Sequence, residues 1–270
     1  MRNLVYTYTL ITILFSASTL ADNKTVKVIE SNEVEWGHLN PLRGELSPGA
    51  ANLWGNRAED SATGMLVRFN NGFQSPPHIH NISYRGIVIE GQLHNDDPKA
   101  EKMWLPTGSF WTQPAGQNHI TAANSETNLI YLEIDSGPYL VKPSSEKFDN
   151  GEHPINLHID NLVWMEHKQL GFIDAEGVRT AFVWGEPSKL SGSMLKIPSG
   201  FKGAIKTEAS EFRSVIITGV VNYSDGEQNK TTLNAGSYIE SSGLNTHVIE
   251  NKSNKEAIIY LRTDGPYRVY

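Results

Sequence analysis

The sequence predicts an all-β chain, and two observations carry that reading. The first is local. Runs such as 84–90, 129–134, 213–218 and 257–262 are rich in β-branched and aromatic residues, and Gly, Asn, Asp or Pro bounds each of them, which is the signature of short strands. No long stretch shows an apolar period near 3.6, so helices are not expected to dominate. Many short strands with regular turns point to a sandwich or barrel. The second observation is an internal repeat, offset by about 128 residues. Ile130-Tyr131-Leu132 and the following Asp135-Ser136-Gly137-Pro138-Tyr139 return as Ile259-Tyr260-Leu261 and Asp264-Gly265-Pro266-Tyr267. Gly86-Ile87-Val88-Ile89 returns as Ser214-Val215-Ile216-Ile217, Trp36 as Trp164, and Trp54-Gly55 as Trp184-Gly185.

The repeat divides the chain into two copies of one module. The polar segment 143–153, bearing Pro, Gly and Ser, suits a linker between them. We expect a first domain over residues 22–147 and a second over 148–270. The repeated tryptophans are expected to pack in the core or between sheets. Trp104 and Trp111 have no aromatic counterpart in the second copy and are candidates to line a ligand pocket. Tyr139 and Tyr267, which end the two copies, are expected to pack the last strand of each.

Residues 1–21 read as a secretory signal. Arg2 supplies the positive end, 4–15 is mostly apolar, and Ala17-Ser18-Thr19-Leu20-Ala21 is a small-residue cleavage site. The alternative is an uncleaved anchor, although the apolar core is shorter than the roughly 20 residues a spanning helix needs. The expected location is periplasmic or secreted, with no membrane partner after signal cleavage. The chain contains no cysteine. This excludes a disulfide framework, thiolate metal sites and thiol catalysis, and it leaves histidine as the main nitrogen ligand. A net charge of −7 disfavours nucleic acid as a partner.

The chemistry concentrates in 72–124. There the chain reads Gly72-x5-His78-Ile79-His80-x3-Tyr84-x6-Gly91, then Gly108-x5-Pro114-x-Gly116-x2-His119-x4-Asn124. Residues two apart on a strand face the same way, so His78 and His80 can aim at one point. His119 completes the set if it lies on a neighbouring strand. Gly72, Pro76 and Pro77 mark a turn before the first pair, and Gly91 and Gly116 mark turns that let later strands fold back.

This spacing resembles the two motifs of the cupin superfamily, G-x5-H-x-H-x3/4-E-x6-G and G-x5-P-x-G-x2-H-x3-N. The resemblance implies jelly-roll β-barrels, two in tandem here, as in exported two-barrel (bicupin) chains of ChrR-like type. It implies His78, His80 and His119 as ligands of one divalent ion, with Fe, Zn, Mn and Ni all compatible with imidazole. Two departures stand out. Tyr84 replaces the metal-binding glutamate, and Asn124 comes one residue late. Glu90, beside the Gly91 turn, is poorly placed to substitute for that carboxylate. Tyr84 is the candidate catalytic residue, either as a hydrogen-bond donor or as an acid/base next to the ion; otherwise it fills the volume of the missing carboxylate. Cupins often pair, so the resemblance leaves a homodimer open, although nothing in the spacing shows one.

In the second copy Lys206 and Glu208 align with His78 and His80, Phe212 with Tyr84, and His247 with His119. That set lacks a ligand triad, so a metal site is expected in the first barrel alone. His38, His94, His153, His158 and His167 are expected to be ordinary surface or core residues. Two functions fit. One is a metal-dependent oxygenase-type enzyme acting on a small molecule. The other is a non-catalytic module that binds or senses a metal or small ligand.

Overall fold

A computed structural model describes residues 25–186, 189–226 and 230–270. The expected secretory signal lies outside the described residues. The chain is almost entirely antiparallel sheet, as its strand-like runs predict. Strands Ile155–Leu157, Phe110–Gln113, Tyr84–Glu90, Asn128–Ile134, Thr63–Phe69, Gly49–Trp54 and Gly37–His38 form one sheet in that order. Facing it are Ile120–Ala123, Gln92–Asp96 and Leu105–Pro106, and the pair Val141–Pro143 with His78–His80. A second seven-stranded sheet runs Thr25–Ile29, Tyr238–Ser242, Phe212–Thr218, Ala257–Thr263, Ser191–Ile197, Arg179–Gly185 and Met165–Glu166. A five-stranded sheet ending in Tyr267–Val269 covers its inner face.

The two sets of strands follow the repeat, with one reciprocal exchange. Thr25–Ile29, near the start of the chain, pairs with Tyr238–Ser242 in the second set. Ile155–Leu157, just after the linker, pairs with Phe110–Gln113 in the first. Each copy thus lends its leading strand to the other, and an edge that would otherwise be free is closed.

Alternation along single strands explains why the runs look apolar throughout. In Tyr84–Glu90, Tyr84 and Val88 face a core of Met65, Val67, Trp111, Ile130 and Leu132 inside the first barrel. Ile87 and Ile89 face outward into a second core, shared with Val215, Ile217, Tyr238 and Tyr260 of the other half. The strand is covered on both faces, so both phases are apolar. Gly86 lies under the Trp111 ring, where a Cβ would come 2.1 Å from Trp111 Cζ2. A third core fills the second barrel.

The shared core also holds charge. Glu133 and Arg262, at corresponding positions of the repeat, are both almost fully buried. Glu133 Oε1 accepts from Arg85 Nε at 2.9 Å, from the Tyr260 hydroxyl at 2.9 Å and from Arg262 at 3.4 Å, and Oε2 accepts from the Tyr131 hydroxyl at 3.0 Å. Arg262 also donates to Glu211 at 2.6 Å and to Asp135 at 2.8 Å. Trp54 and Trp184 donate to the Tyr131 and Tyr260 hydroxyls at 3.1 and 2.8 Å. The repeated tryptophans therefore pack between sheets, as expected.

Candidate metal centre

Two turns bring the histidines together. The 73–77 segment carries the chain into the short strand His78–His80, which pairs with Val141–Pro143. The Gly116 turn, with φ of 75°, takes the following chain back beside it. Gly116 N donates to the His80 carbonyl at 2.8 Å, and this sets the turn against the strand. His78 and His119 then face each other across an antiparallel bridge, with their backbone N–H and C=O groups exchanged at 3.0 Å in both directions. Residues directly opposite share a face, so the His119 ring joins those of His78 and His80. One ring nitrogen from each lies within 4.8 Å of the others, and all three side chains are buried. Among the described residues this is the one cluster of three or more potential ligand side chains.

The donor set suits a divalent ion. His78 Nδ1 lies 2.9 Å from the Pro76 carbonyl and His119 Nδ1 lies 3.0 Å from the Gln117 carbonyl. A carbonyl only accepts, so both rings carry their proton on Nδ1 and turn a bare Nε2 inward, which is the arrangement that orients metal-binding imidazoles. His80 is held less firmly. The Leu140 carbonyl interacts with its ring, too loosely to count as a hydrogen bond to Nδ1, which has no partner. Burial lowers the pKa of His78, lowers that of His80 well below the ordinary value, and takes that of His119 to about 3. Mutual repulsion among the rings adds to the effect at His80 and His119. The rings stay neutral at ordinary pH, the form that binds metal.

Tyr84 reaches the cluster, as its phase with Gly86 and Val88 predicts. Its hydroxyl donates to Asn95 Oδ1 at 3.0 Å and lies 3.3 Å from His119 Nε2. Burial raises its pKa, so the phenol stays protonated. Asn95 Oδ1 also accepts from Thr121 Oγ1 at 2.8 Å, and Asn95 Nδ2 donates to Gln113 Oε1 at 2.8 Å. The side-chain amide is thereby fixed, with its oxygen toward Tyr84.

Tyr139 is the residue that sequence reasoning misplaced. Expected to pack a terminal strand, it stacks on His80 with ring centroids 4.4 Å apart, and its hydroxyl is 3.2 Å from His80 Nε2. Its counterpart Tyr267 makes an ordinary contact with Ser193, so the repeat gave no hint. Pairing of Val141–Pro143 with the histidine strand brings Tyr139 in, and that contact spans about 60 residues of sequence. Asn95 was missed for a similar reason, since nothing local marks it.

Of the two unpaired tryptophans, Trp111 lines the pocket above the cluster, whereas Trp104 packs on His94 outside it. His94 is buried, with Nδ1 3.3 Å from the Met103 carbonyl and no partner at Nε2. Glu90 is exposed and accepts from Thr127. About 650 Å³ of space lies between its walls and mouth, part of it open solvent. Val67, Phe69, Phe73, Ile130 and Leu132 make its walls apolar.

The second half corrects one expectation. Ile205, not Lys206, lies opposite His247, as His78 lies opposite His119. The counterparts of His78 and His80 are therefore Ile205 and Thr207, both buried. Lys206 and Glu208 are exposed. The cause is loop length. Three residues separate His80 from Tyr84 and four separate Thr207 from Phe212. A one-residue slip exchanges the faces of a strand. His247 stacks on Phe212, and its nitrogens meet the Tyr223 hydroxyl at 2.9 Å and the Ser241 hydroxyl at 3.0 Å.

His247 yields a pH prediction. Burial lowers its pKa from 6.5 to about 4. Between those values the unfolded chain binds the proton and the folded chain does not, so stability falls as pH falls through that window. At about 1.4 kcal/mol per unit, the contribution amounts to roughly 3 kcal/mol. Denaturant titrations at stepped pH should show the gap between wild type and His247→Gln narrowing by that order from pH 6.5 to 4. A gap that is constant with pH would contradict the assignment.

Solved structures confirm the fold class. A candidate dioxygenase from Nostoc punctiforme matches with a TM-score of 0.68 at 16% identity, covering 89% of this chain and 82% of its own. Salicylate 1,2-dioxygenase from Pseudoaminobacter salicylatoxidans, in adducts with gentisate, matches at 0.59 and 12% identity, covering 91% and 85%. Oxalate decarboxylase from Lactobacillus farciminis, in a formate complex, matches at 0.58 and 12%, covering 90% and 87%. At such identities the likeness shows the fold, the cupin jelly roll. No curated protein matches by sequence. The profile of the family described as "Domain of unknown function (DUF4437)" matches residues 27–270, and the chain belongs to that family.

Proposed function

We propose that the chain is an exported bicupin, with barrels over 22–147 and 148–270, whose first barrel is a metal-dependent, oxygenase-type enzyme for a small molecule. His78, His80 and His119 would hold the ion, with iron the best match to oxygenase chemistry among Fe, Zn, Mn and Ni. The observation that carries this reading is the cluster itself: three buried neutral imidazoles, two with tautomers fixed by backbone carbonyls, opening into an apolar pocket. The named structural neighbours, a candidate dioxygenase, a salicylate dioxygenase and an oxalate decarboxylase, support the choice of chemistry.

His78, His80 and His119 are neutral ligands, so a divalent ion they held would keep its full charge and would supply Lewis acidity toward a substrate oxygen or O₂. The protein residues do the rest. The apolar walls exclude water and hold the substrate body. Tyr84, protonated and oriented by Asn95, offers a donor beside His119. When His119 Nε2 is engaged as a ligand, the Tyr84 proton points to Asn95 Oδ1, and a substrate oxygen can take its place there. Tyr139 closes the wall over His80.

The test is O₂ consumption and product formation by iron-reconstituted protein with a panel of small phenols and organic acids. Tyr84→Phe should keep its metal and lose about 10- to 100-fold in kcat, the order of a general-acid contribution. Unchanged kcat would remove Tyr84 from the mechanism. Ligand binding without product or O₂ uptake across the panel would favour the binding or sensing module instead.

A further inference from the structure

The same pocket also carries information about its ligand. We infer that Arg43 at its mouth selects a small organic anion, one with a carboxylate and an apolar, ring-sized body. The inference rests on the reading of this pocket as the substrate site, and it adds the class of substrate.

Arg43 belongs to the 3₁₀ segment Pro41–Leu46, which crosses the mouth between two strands of the large sheet. The segment is pinned at its base. Asn40 N donates to Ser47 Oγ at 2.8 Å, Leu39 N donates to the Pro48 carbonyl at 2.8 Å, and Asn40 Oδ1 accepts from Leu42 N at 3.1 Å. Arg43 is exposed at the rim, yet it counts among the pocket lining. The segment's own acid, Glu45, lies 3.6 Å from His38 Nε2. No ion pair involves Arg43 among the described residues.

The lining contains no aspartate or glutamate. In a chain of net charge −7, this cavity carries an uncompensated guanidinium above the three imidazoles. A bound divalent ion would make it more positive still. Such a concentration of one sign in a low-dielectric cleft draws the opposite charge, and a guanidinium fork matches a carboxylate through two parallel hydrogen bonds. Deeper in, the Trp111 indole N–H is buried without an acceptor. Phe69 and Phe73 also line the pocket.

The test compares benzoate with its neutral isostere benzamide by calorimetry on zinc-loaded full-length protein, with zinc content measured in parallel. Wild type should prefer benzoate by at least about 10-fold, as a charge-assisted pair implies. Arg43→Ala should abolish that preference, Arg43→Lys should restore part of it, and Arg43→Glu should bind benzoate more weakly than Arg43→Ala. Zinc content should be equal in all four proteins. Equal benzoate affinity in wild type and Arg43→Ala would overturn the proposal, as would failure of wild type to bind benzoate at millimolar concentration. If wild type takes up no zinc, the metal reading fails separately. The benzoate preference is then read on the metal-free protein, where loss of preference in Arg43→Ala still supports the role of Arg43 and equal affinity still overturns it.

Discussion

Substitution of His119 by alanine is expected to weaken binding of the divalent ion by at least about 100-fold and to abolish turnover. Loss of a group that merely orients a ligand costs 10- to 100-fold, and loss of the ligand itself should cost more. Tyr84 keeps its hydrogen bond to Asn95 after the change, so the pocket wall should survive. Competition against a chelator reads the affinity directly. His247→Ala is the control, because both nitrogens of that ring are engaged by hydroxyls and no other imidazole lies opposite. It should leave metal affinity unchanged. Equal metal affinity in His119→Ala and wild type would mean that the ion sits elsewhere.

The second large effect lies between the two halves. Glu133→Leu should destabilise the fold by about 3–5 kcal/mol, because it leaves Arg262 buried with its charge only partly compensated. Arg262 keeps Glu211 and Asp135, which argues for the lower end of that range. Burial works against the Arg262 charge, and Glu133 leads the groups that hold it on. The double change Glu133→Leu with Arg262→Met should recover most of the loss, since an apolar replacement of a buried pair is often neutral or better. Denaturant midpoints of the four proteins decide the matter. Additive losses in the double variant would show that the pair is not coupled.

These two sites differ in how far the sequence reveals them. The histidine cluster was legible because its geometry is local: an i, i+2 pair on one strand, and a third ring on the strand that the Gly116 turn brings alongside. The repeat announced two similar sets of strands, and the phase of Tyr84 placed it correctly. Tyr139, Asn95 and the Glu133–Arg262 contact were not legible, since each depends on pairing between distant segments. The exchange of Thr25–Ile29 and Ile155–Leu157 is of the same kind. The register of the second half was misjudged through one extra loop residue before Phe212, enough to turn Lys206 and Glu208 outward and Ile205 and Thr207 inward. Alignment by conserved-looking neighbours cannot detect such a slip, because flanking strands absorb it without trace.

The central claim is that three imidazoles of the first barrel grip one ion. Elemental analysis of the protein, purified without added metal and again after exposure to iron, zinc, manganese or nickel, tests it most directly. The account predicts about one divalent ion per chain, the stoichiometry of a single site. A protein that remains metal-free after all four exposures would contradict it.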